Sequence, residues 1–264
     1  MDLIKTHGLV IKSNNFGEAN RLLTIITPAY GKILAVSYGS RSLKSKSKIA
    51  SVFNYCEFVL KRDNKTKGLY HVQQAALEKS FHKITNSLSG FYLATYVTQV
   101  LNESCFENMD CGDILNLALN CFFVLCETEF SPKTVKLVFD IRLFYLLGVA
   151  PDVSNCTSCG EATYGGYLYQ EDGVFYCGQC HESENNFASE NKFAAENNLP
   201  SDKKAAFIGK DGCALINYIT TCPPGKIFSF KISDELADEL YEIISDYVGY
   251  HVSNKVGDIL NDIL

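Results

Sequence analysis

The 264-residue sequence predicts a multidomain α+β protein: an N-terminal five-stranded barrel, an all-helical domain, and a metal module embedded in the helices. Three observations carry this prediction. Strand-like runs dominate residues 1–80, helical hydrophobic stripes begin after them, and two Cys-x-x-Cys pairs lie inside the helical region. We therefore expect one domain at 1–80 and a second at 81–264, with the metal module inserted at about 152–184.

Five strand-like runs fill the first 80 residues. They are 3–11, 22–27, 32–38, 55–61 and 69–73. Pro28 and Gly31 mark a turn between the second and third runs. Five strands with few helical signals in about 80 residues are typical of a small closed barrel. The OB-fold is such a barrel, and it often binds single-stranded nucleic acid.

The hydrophobic period changes to that of a helix after the fifth strand. Helical stretches are predicted at 88–101, 114–125, 132–147 and 233–248. Pro132 stands where a first helical turn tolerates proline, and Gly148, shortly before Pro151, ends the third helix. Residues 182–204 are rich in Asn, Glu, Ser and Lys, which predicts either a linker or a weakly helical, exposed segment.

The predicted metal ligands are Cys156, Cys159, Cys177 and Cys180. Two C-x2-C turns separated by seventeen residues can each aim two thiolates at one point. Four sulfur ligands favour tetrahedral zinc in a closed, structural site. The strand-like residues 164–169 and 174–176, with Asp172 and Gly173 as a turn, indicate a zinc ribbon. The alternatives are redox Cys-x-x-Cys motifs, chance spacing, or a site in which His181 replaces one thiolate.

The net charge of −6 conceals an asymmetry along the chain. Residues 1–80 carry 13 Lys+Arg and 5 Asp+Glu, a net of +8, and residues 81–264 carry the remaining 11 and 25, a net of −14. A basic first third on an acidic protein suggests an anionic partner for that part. An ordinary solvated surface is the alternative explanation.

The densest basic segment, residues 39–48, is predicted to be a loop between two strands. Its cations alternate with Gly and Ser, so the loop can follow a phosphate backbone, with binding that weakens as salt rises. The predicted DNA contacts are Arg21, Lys32, Arg41, Lys44, Lys46 and Lys48. Aromatic residues that could stack on bases, or fill the barrel core instead, are Tyr30, Tyr38, Phe53 and Tyr55.

The sequence lacks the common nucleotide-binding and metalloprotease motifs. Gly31-Lys32 and Gly225-Lys226 lack the rest of a P-loop, and neither G-x-G-x-x-G nor H-E-x-x-H occurs. We predict no catalytic residues and no enzymatic activity. A zinc hydrolase would need an open coordination position, which four cysteines do not leave.

The sequence also bears on location. No apolar run approaches the roughly 20 residues that span a bilayer, and the first residues do not resemble a signal peptide. The eleven cysteines are an odd number, so they cannot all pair within the chain, and a reducing compartment accounts for them. We therefore expect a cytoplasmic protein with no membrane partner.

Three stretches resemble the bacterial RecO family of recombination mediators. Residues 16–24, F-G-E-A-N-R-L-L-T, resemble the family's first barrel hairpin, and 38–42, Y-G-S-R-S, resemble its basic loop. The most specific stretch is 139–151, F-D-I-R-L-F-Y-L-L-G-V-A-P, which leads into Cys156 and resembles the family's buried helix running into its zinc finger.

This resemblance implies an OB-fold, a helical domain and one structural Zn²⁺. It also implies a protein of the bacterial cytoplasm, associated with the nucleoid, that binds single- and double-stranded DNA and anneals complementary strands. Such proteins act with RecR to load RecA onto DNA coated by single-stranded-DNA-binding protein (SSB), whose C-terminal tail is a further expected partner. The alternative is a zinc-containing protein-interaction adaptor that does not touch nucleic acid.

Overall fold

The computed structural model describes residues 3–41, 49–183 and 205–251. These residues form two units that divide between Pro132 and Lys133, and each unit is described separately below. The predicted α+β class is confirmed, because a closed five-stranded barrel, a helical region and a cluster of four cysteines are all present.

The first unit begins with a barrel. Its strands are β1 (Leu3–Phe16), β2 (Asn20–Thr27), β3 (Gly31–Ser37), β4 (Asn54–Arg62) and β5 (Leu69–Ser80). The strands close in the order β1-β2-β3-β5-β4, and all neighbours are antiparallel except β3 and β5, which run parallel. A five-stranded Greek-key barrel of this kind is the OB-fold.

The inward-facing side chains of the barrel form a hydrophobic core. Its buried residues are Val10, Leu23, Ile25, Ile33, Ala35, Ala50, Cys56, Phe58, Leu60 and Tyr70. Gly8 lets β1 pass close to β2, since a Cβ there would stand 2.4 Å from Cγ2 of Ile25. Every predicted strand lies mainly within an observed one, and the observed β1 and β5 are longer than predicted.

Two helices complete the first unit: α1 (Leu88–Ser104) and α2 (Gly112–Glu127). The loop between them docks on the turn between β2 and β3. The amide of Lys32 donates to the carbonyl of Phe106 at 3.1 Å, and the amide of Asn108 donates to that of Tyr30 at 2.9 Å. Gly31 permits this contact, because a Cβ at that position would lie 2.0 Å from the Phe106 carbonyl oxygen.

Phe53 joins the barrel to these helices. Its side chain is only 5% exposed, and its ring makes edge contacts with Phe91 and Phe122. The backbone φ of +67° is left-handed, which is unusual for a bulky residue. Hydrogen bonds to Val10 and from Phe81 hold the backbone in that conformation. Of the two roles predicted for Phe53, the structure shows the core role.

The second unit is built on a buried helix. Its helices are α3 (Pro132–Leu147), α4 (Lys210–Thr221) and α5 (Asp234–His251). Helix α3 begins at the predicted proline and ends before Gly148, whose φ is +74°. Arg142 is buried and donates from Nη1 to the carbonyls of Ile219 and Thr220 at the end of α4. A cation at this end complements the helix dipole, so Arg142 fastens α4 to α3.

A three-stranded sheet forms the metal module. Its strands are β6 (Gly166–Tyr169), β7 (Val174–Tyr176) and β8 (Ala205–Ile208), arranged β7-β6-β8. Gly173 makes the predicted hairpin turn with a φ of +71°. Strand β8 and helix α4 were not predicted from the sequence. The predicted linker lies almost wholly outside the described residues.

Among the described helices, none combines the length and the apolar character needed to cross a bilayer.

Candidate metal centre and nucleic-acid surface

The four predicted cysteines converge in the structure. Their sulfur atoms all lie within 4.8 Å of one another. Cys156 and Cys159 lie on a tight turn in which the amide of Gly160 donates to the Cys156 carbonyl at 2.9 Å. Cys177 follows β7, and Cys180 lies in the helical segment 178–183. The cluster could hold one metal ion, with every ligand supplied by cysteine.

The backbone of the two turns favours a thiolate at the centre of this cluster. The Cys177 amide lies 3.4 Å from the Cys156 sulfur. Burial works to raise the pKa of Cys156, but the amides of Cys159, Cys177 and Ser158 outweigh it and hold that pKa at about 6. Hydrogen bonds with neighbouring thiols raise the pKa of Cys180 to about 12. A cation that displaced the thiol protons would satisfy all four sulfurs.

His181 does not replace a cysteine in the cluster. Its Nδ1 lies 2.9 Å from the Tyr169 hydroxyl, and its ring stacks on that of Tyr167 at a centroid distance of 3.6 Å and an angle of 7°. Within the described part of the chain, the group that could hold a metal consists of the four cysteines alone. His181 therefore supports the sheet of the module rather than the metal centre.

Polar contacts to α5 fix the module within the second unit. Gln170 donates to the Ile243 carbonyl at 3.0 Å, and His251 Nε2 lies 2.9 Å from the Gln170 carbonyl oxygen. The Tyr247 hydroxyl donates to the Val149 carbonyl at 2.6 Å. All eleven cysteines of the chain lie in its described part, and none of them forms a disulfide there.

Three of the predicted DNA contacts are described, and each binds atoms of the protein. Arg21 Nη1 donates to the Ser13 hydroxyl at 3.0 Å. The Lys32 ammonium group donates to the Asn102 carbonyl and lies 5.6 Å from the centre of the Phe106 ring.

Arg41 Nη1 donates to the carbonyl of Glu18 at 2.8 Å and to that of Gly17 at 3.2 Å. This cation therefore ties the beginning of the basic loop to the turn between β1 and β2. Lys44, Lys46 and Lys48 lie outside the described residues. DNA contact by all six cations remains a prediction.

The four predicted stacking candidates differ in exposure. Phe53 is buried, Tyr30 and Tyr55 are half-buried, and Tyr38 is 53% exposed. Tyr30 packs against the barrel core, and the Tyr55 ring lies 6.0 Å from that of His7. Tyr38 is therefore the candidate with a ring face open to solvent.

Tyr38 contacts His71, which in turn contacts Asp63, and neither residue was predicted from the sequence to belong to this site. Its ring stacks on His71 at a centroid distance of 5.6 Å and an angle of 18°. His71 Nε2 in turn lies 2.6 Å from Oδ2 of Asp63. The parallel pairing of β3 with β5, which sets Val36 opposite His71, brings these side chains together. A pattern of local residues could not have revealed them.

These features define a class of protein: an OB-fold barrel followed by helices that carry a four-cysteine metal ribbon. Comparison with known families agrees with that class. The family model "Recombination protein O N terminal" matches residues 1–81, and "Recombination protein O C terminal" matches 86–189. The chain belongs to the RecO family.

Curated relatives match over nearly the whole chain. The chain is 32% identical to a protein of Acetivibrio thermocellus over 251 residues, 94% of this chain and 91% of that protein. It is 25% identical to one of Alkaliphilus metalliredigens over 253 residues, 95% and 94% of the two chains. It is 25% identical to one of a Thermoanaerobacter species over 269 residues, 100% and 99%. All three relatives are named DNA repair protein RecO.

Proposed function

We propose that the protein is a non-enzymatic mediator of DNA repair. It binds single- and double-stranded DNA, anneals complementary strands, and acts with RecR to help load RecA onto strands coated by SSB. The observation that carries the proposal is the closed barrel with OB topology in a chain of the RecO family, built from the segment with a net charge of +8. Its place would be the bacterial cytoplasm, at the nucleoid.

The basic barrel domain can promote strand annealing without binding or hydrolysing a nucleotide. Two phosphate backbones repel each other, and cations that neutralise phosphates lower that repulsion as counterions leave. The contacts to the bases have to be weak enough for complementary strands to pair. The proposal assigns the phosphate contacts to the barrel domain, residues 1–80. The helical domain, residues 81–264, would be the place for protein partners, including the SSB C-terminal tail.

The metal of the cysteine cluster is proposed to be Zn²⁺ in a structural role. Four thiolates held within 4.8 Å of one another suit a tetrahedral, closed site. Cys156, Cys159, Cys177 and Cys180 would hold the ion, which would join the two turns of the ribbon. Spectroscopy of the cobalt-substituted protein tests this, because four thiolates around Co²⁺ give tetrahedral absorption bands and strong sulfur charge transfer.

The proposal is tested by strand annealing with complementary oligonucleotides coated by SSB. The variant replaces Lys44, Lys46 and Lys48 together by Gln. A matched control replaces three exposed lysines of the second unit, Lys210, Lys226 and Lys231. We expect slower annealing and single-strand binding whose salt slope falls by about 2 for the loop variant, because each phosphate contact contributes about 0.7. The control should match the parent.

A second candidate is a protein-interaction adaptor with a structural metal and no contact to nucleic acid. It is favoured by one observation: Arg21, Lys32 and Arg41 all bind groups of the protein. The discriminating measurement is a mobility shift with single-stranded DNA at about 50 mM salt. A parent protein that gives no shift, yet recovers a protein partner in a pulldown, would establish the adaptor and exclude the mediator.

A further inference from the structure

We propose that Tyr38 is a stacking platform for one unpaired base, and that His71 and Asp63 are positioning residues that hold its ring. This inference rests on the proposed function, since it names the part of a DNA strand that the barrel would read. It assigns the site to single strands, in which the faces of the bases are accessible.

Tyr38 is exposed to solvent beside His71. The ring follows β3, is 53% exposed, and has one face against the imidazole of His71. The opposite face is the one available to a ligand. Stacking of a base on an aromatic ring needs no particular sequence, because every base has a π-face.

The backbone around Tyr38 is fixed by hydrogen bonds, so the platform is preorganised. The amide of Gly39 donates to Oδ1 of Asn20 at 3.0 Å. The Ser40 hydroxyl is buried and donates to the Ser37 carbonyl at 2.8 Å. The guanidinium group of Arg41 is held by the neighbouring turn, as described above. A ring carried by such a backbone loses little conformational entropy when a base binds.

Asp63 links the ring stack to a basic turn. One carboxylate oxygen faces His71, and the other accepts from the amides of Lys65 and Thr66 at 2.6 and 2.7 Å. The side chains of Lys65 and Lys67 are exposed on this turn. The same carboxylate therefore orients the support of the Tyr38 ring and shapes a turn that offers two cations to the phosphates flanking the base.

The size of a cavity beside Tyr38 limits where a base could bind. The cavity has a volume of about 70 Å³ and is lined by Ser37, Tyr38, Val72 and Gln73 among others. A cavity that holds a benzene ring has a volume of about 150 Å³, so this one is too small for a base. The base would therefore lie on the exposed face of the ring rather than enter the barrel.

The test compares Tyr38→Leu with Phe123→Leu, a matched control in the same unit whose aromatic ring is 50% exposed on α2. Affinity is measured for a single-stranded oligonucleotide, for the same backbone without bases, and for a duplex. We expect Tyr38→Leu to bind the intact single strand about 5- to 150-fold more weakly, in line with the loss of one stacked base. Binding of the baseless strand and the duplex should not change, and Tyr38→Phe should behave like the parent.

The positioning role is tested by a double-mutant cycle. His71→Gln should weaken single-strand binding by a smaller factor than Tyr38→Leu, and it should add nothing once Tyr38 is Leu. The coupling energy between the His71 and Tyr38 substitutions should vanish when the baseless strand is the ligand. If His71 only stabilised the fold, its substitution would weaken binding of both strands equally. A second cycle pairs Asp63→Asn with Tyr38→Leu. The amide side chain keeps an oxygen that can accept from the turn amides, while the charge that faces His71 is removed.

The two ways of failing are distinguishable. A parent protein that binds no single-stranded DNA overturns both the proposed function and this inference. A parent that binds and anneals, with Tyr38→Leu and Phe123→Leu both equal to it, overturns the platform alone. A Tyr38→Leu defect of equal size on intact and baseless strands also overturns the platform, because it would mean that the ring does not contact a base.

Discussion

Lys136 and Asp140 lie one turn apart on α3 and form an ion pair of 2.7 Å inside the second unit, where their side chains are 2% and 1% exposed. The lysine ammonium also lies 3.2 Å from the Ser245 hydroxyl and 4.9 Å from the centre of the Tyr241 ring. Two charges buried this deeply stabilise each other, and removing one takes away the counter-charge of the other.

Replacing one partner of this pair should destabilise the second unit strongly. We expect Asp140→Ala to lower the free energy of unfolding by about 3–5 kcal/mol, because the Lys136 ammonium loses its counter-charge. The double variant Lys136→Met/Asp140→Leu should lose less than Asp140→Ala. Urea denaturation followed by circular dichroism measures both. The exposed pair Lys133–Asp238, at 2.9 Å, is the control, and Asp238→Ala should leave the midpoint nearly unchanged. Equal losses for the two single variants would contradict this interpretation.

The metal content should follow the cysteine cluster. We expect the parent to carry one metal ion per chain and Cys177→Ser to carry much less, with a lower melting temperature, because metal binding is coupled to folding of the ribbon. Elemental analysis and thermal unfolding measure this. Cys126→Ser removes a half-buried thiol of the first unit and should keep the metal. A metal-free Cys177→Ser protein that melts like the parent would argue against a structural ion.

Gly31 and Gly39 provide a matched pair of substitutions. Both have a φ of +64°, but a Cβ at Gly31 meets the Phe106 carbonyl, whereas one at Gly39 meets nothing within 4 Å. We expect Gly39→Ala to destabilise the protein by about 1–2 kcal/mol, the cost of a left-handed conformation. Gly31→Ala should cost clearly more, because the α1–α2 loop has to move. The difference between the denaturation midpoints of the two variants measures how much the contact of the α1–α2 loop with Gly31 contributes to stability. Equal midpoints would show that this contact contributes little.

Asp63 should make the stability of the first unit sensitive to acid. Its hydrogen bonds with His71 and with the amides of Thr66 and Lys65 lower its pKa to about 2. A carboxyl whose pKa is depressed by folding stabilises the protein above its unfolded pKa of about 3.9. That contribution is lost as the pH falls from about 4 to about 2. Asp63→Asn should therefore show a flatter decline of the urea midpoint across that window, and a slope equal to the parent's would exclude the linkage.

The barrel was predictable because its signal is local. Burial alternates along β4, where Asn54, Cys56, Phe58 and Leu60 face inward. The second half of β1 has no such alternation. Residues 12–16 are largely exposed, and the hydrogen bonds to β2 hold them in the strand. A strand segment that is held only by hydrogen bonds to its neighbour has no hydrophobic pattern of its own. The first predicted strand therefore ended at residue 11, although β1 continues to Phe16.

Strand β8 and helix α4 escaped prediction for a related reason. Strand β8 has four residues, and its partner β6 lies almost forty residues earlier in the chain. Gly209 and Gly212 flank the beginning of α4 and weaken its helical signal, yet Gly212 packs so tightly that a Cβ would lie 2.8 Å from Ile208. The helical spacing of Cys213, Ile216 and Ile219 was the available signal.

The two candidate sites differ in the same way. The metal cluster was predictable because two Cys-x-x-Cys turns are local patterns that need only one hairpin to converge. The ring stack of Tyr38 was not, since the parallel β3–β5 pairing brings together residues more than twenty positions apart. Tyr38 was one of four aromatic stacking candidates in the sequence, and only the fold distinguishes it from the other three.

The place of β8 in the ribbon has a consequence for synthesis on the ribosome. The chain reaches the last cysteine, Cys180, well before it reaches Ile208 at the end of the third strand. At about 5–20 residues per second, roughly 1–6 seconds separate the two. The nascent chain thus presents four thiols on a two-stranded hairpin while one edge of β6 is still unpaired. We expect metal capture to precede completion of the sheet, so that β8 is added to a hairpin that is already rigid.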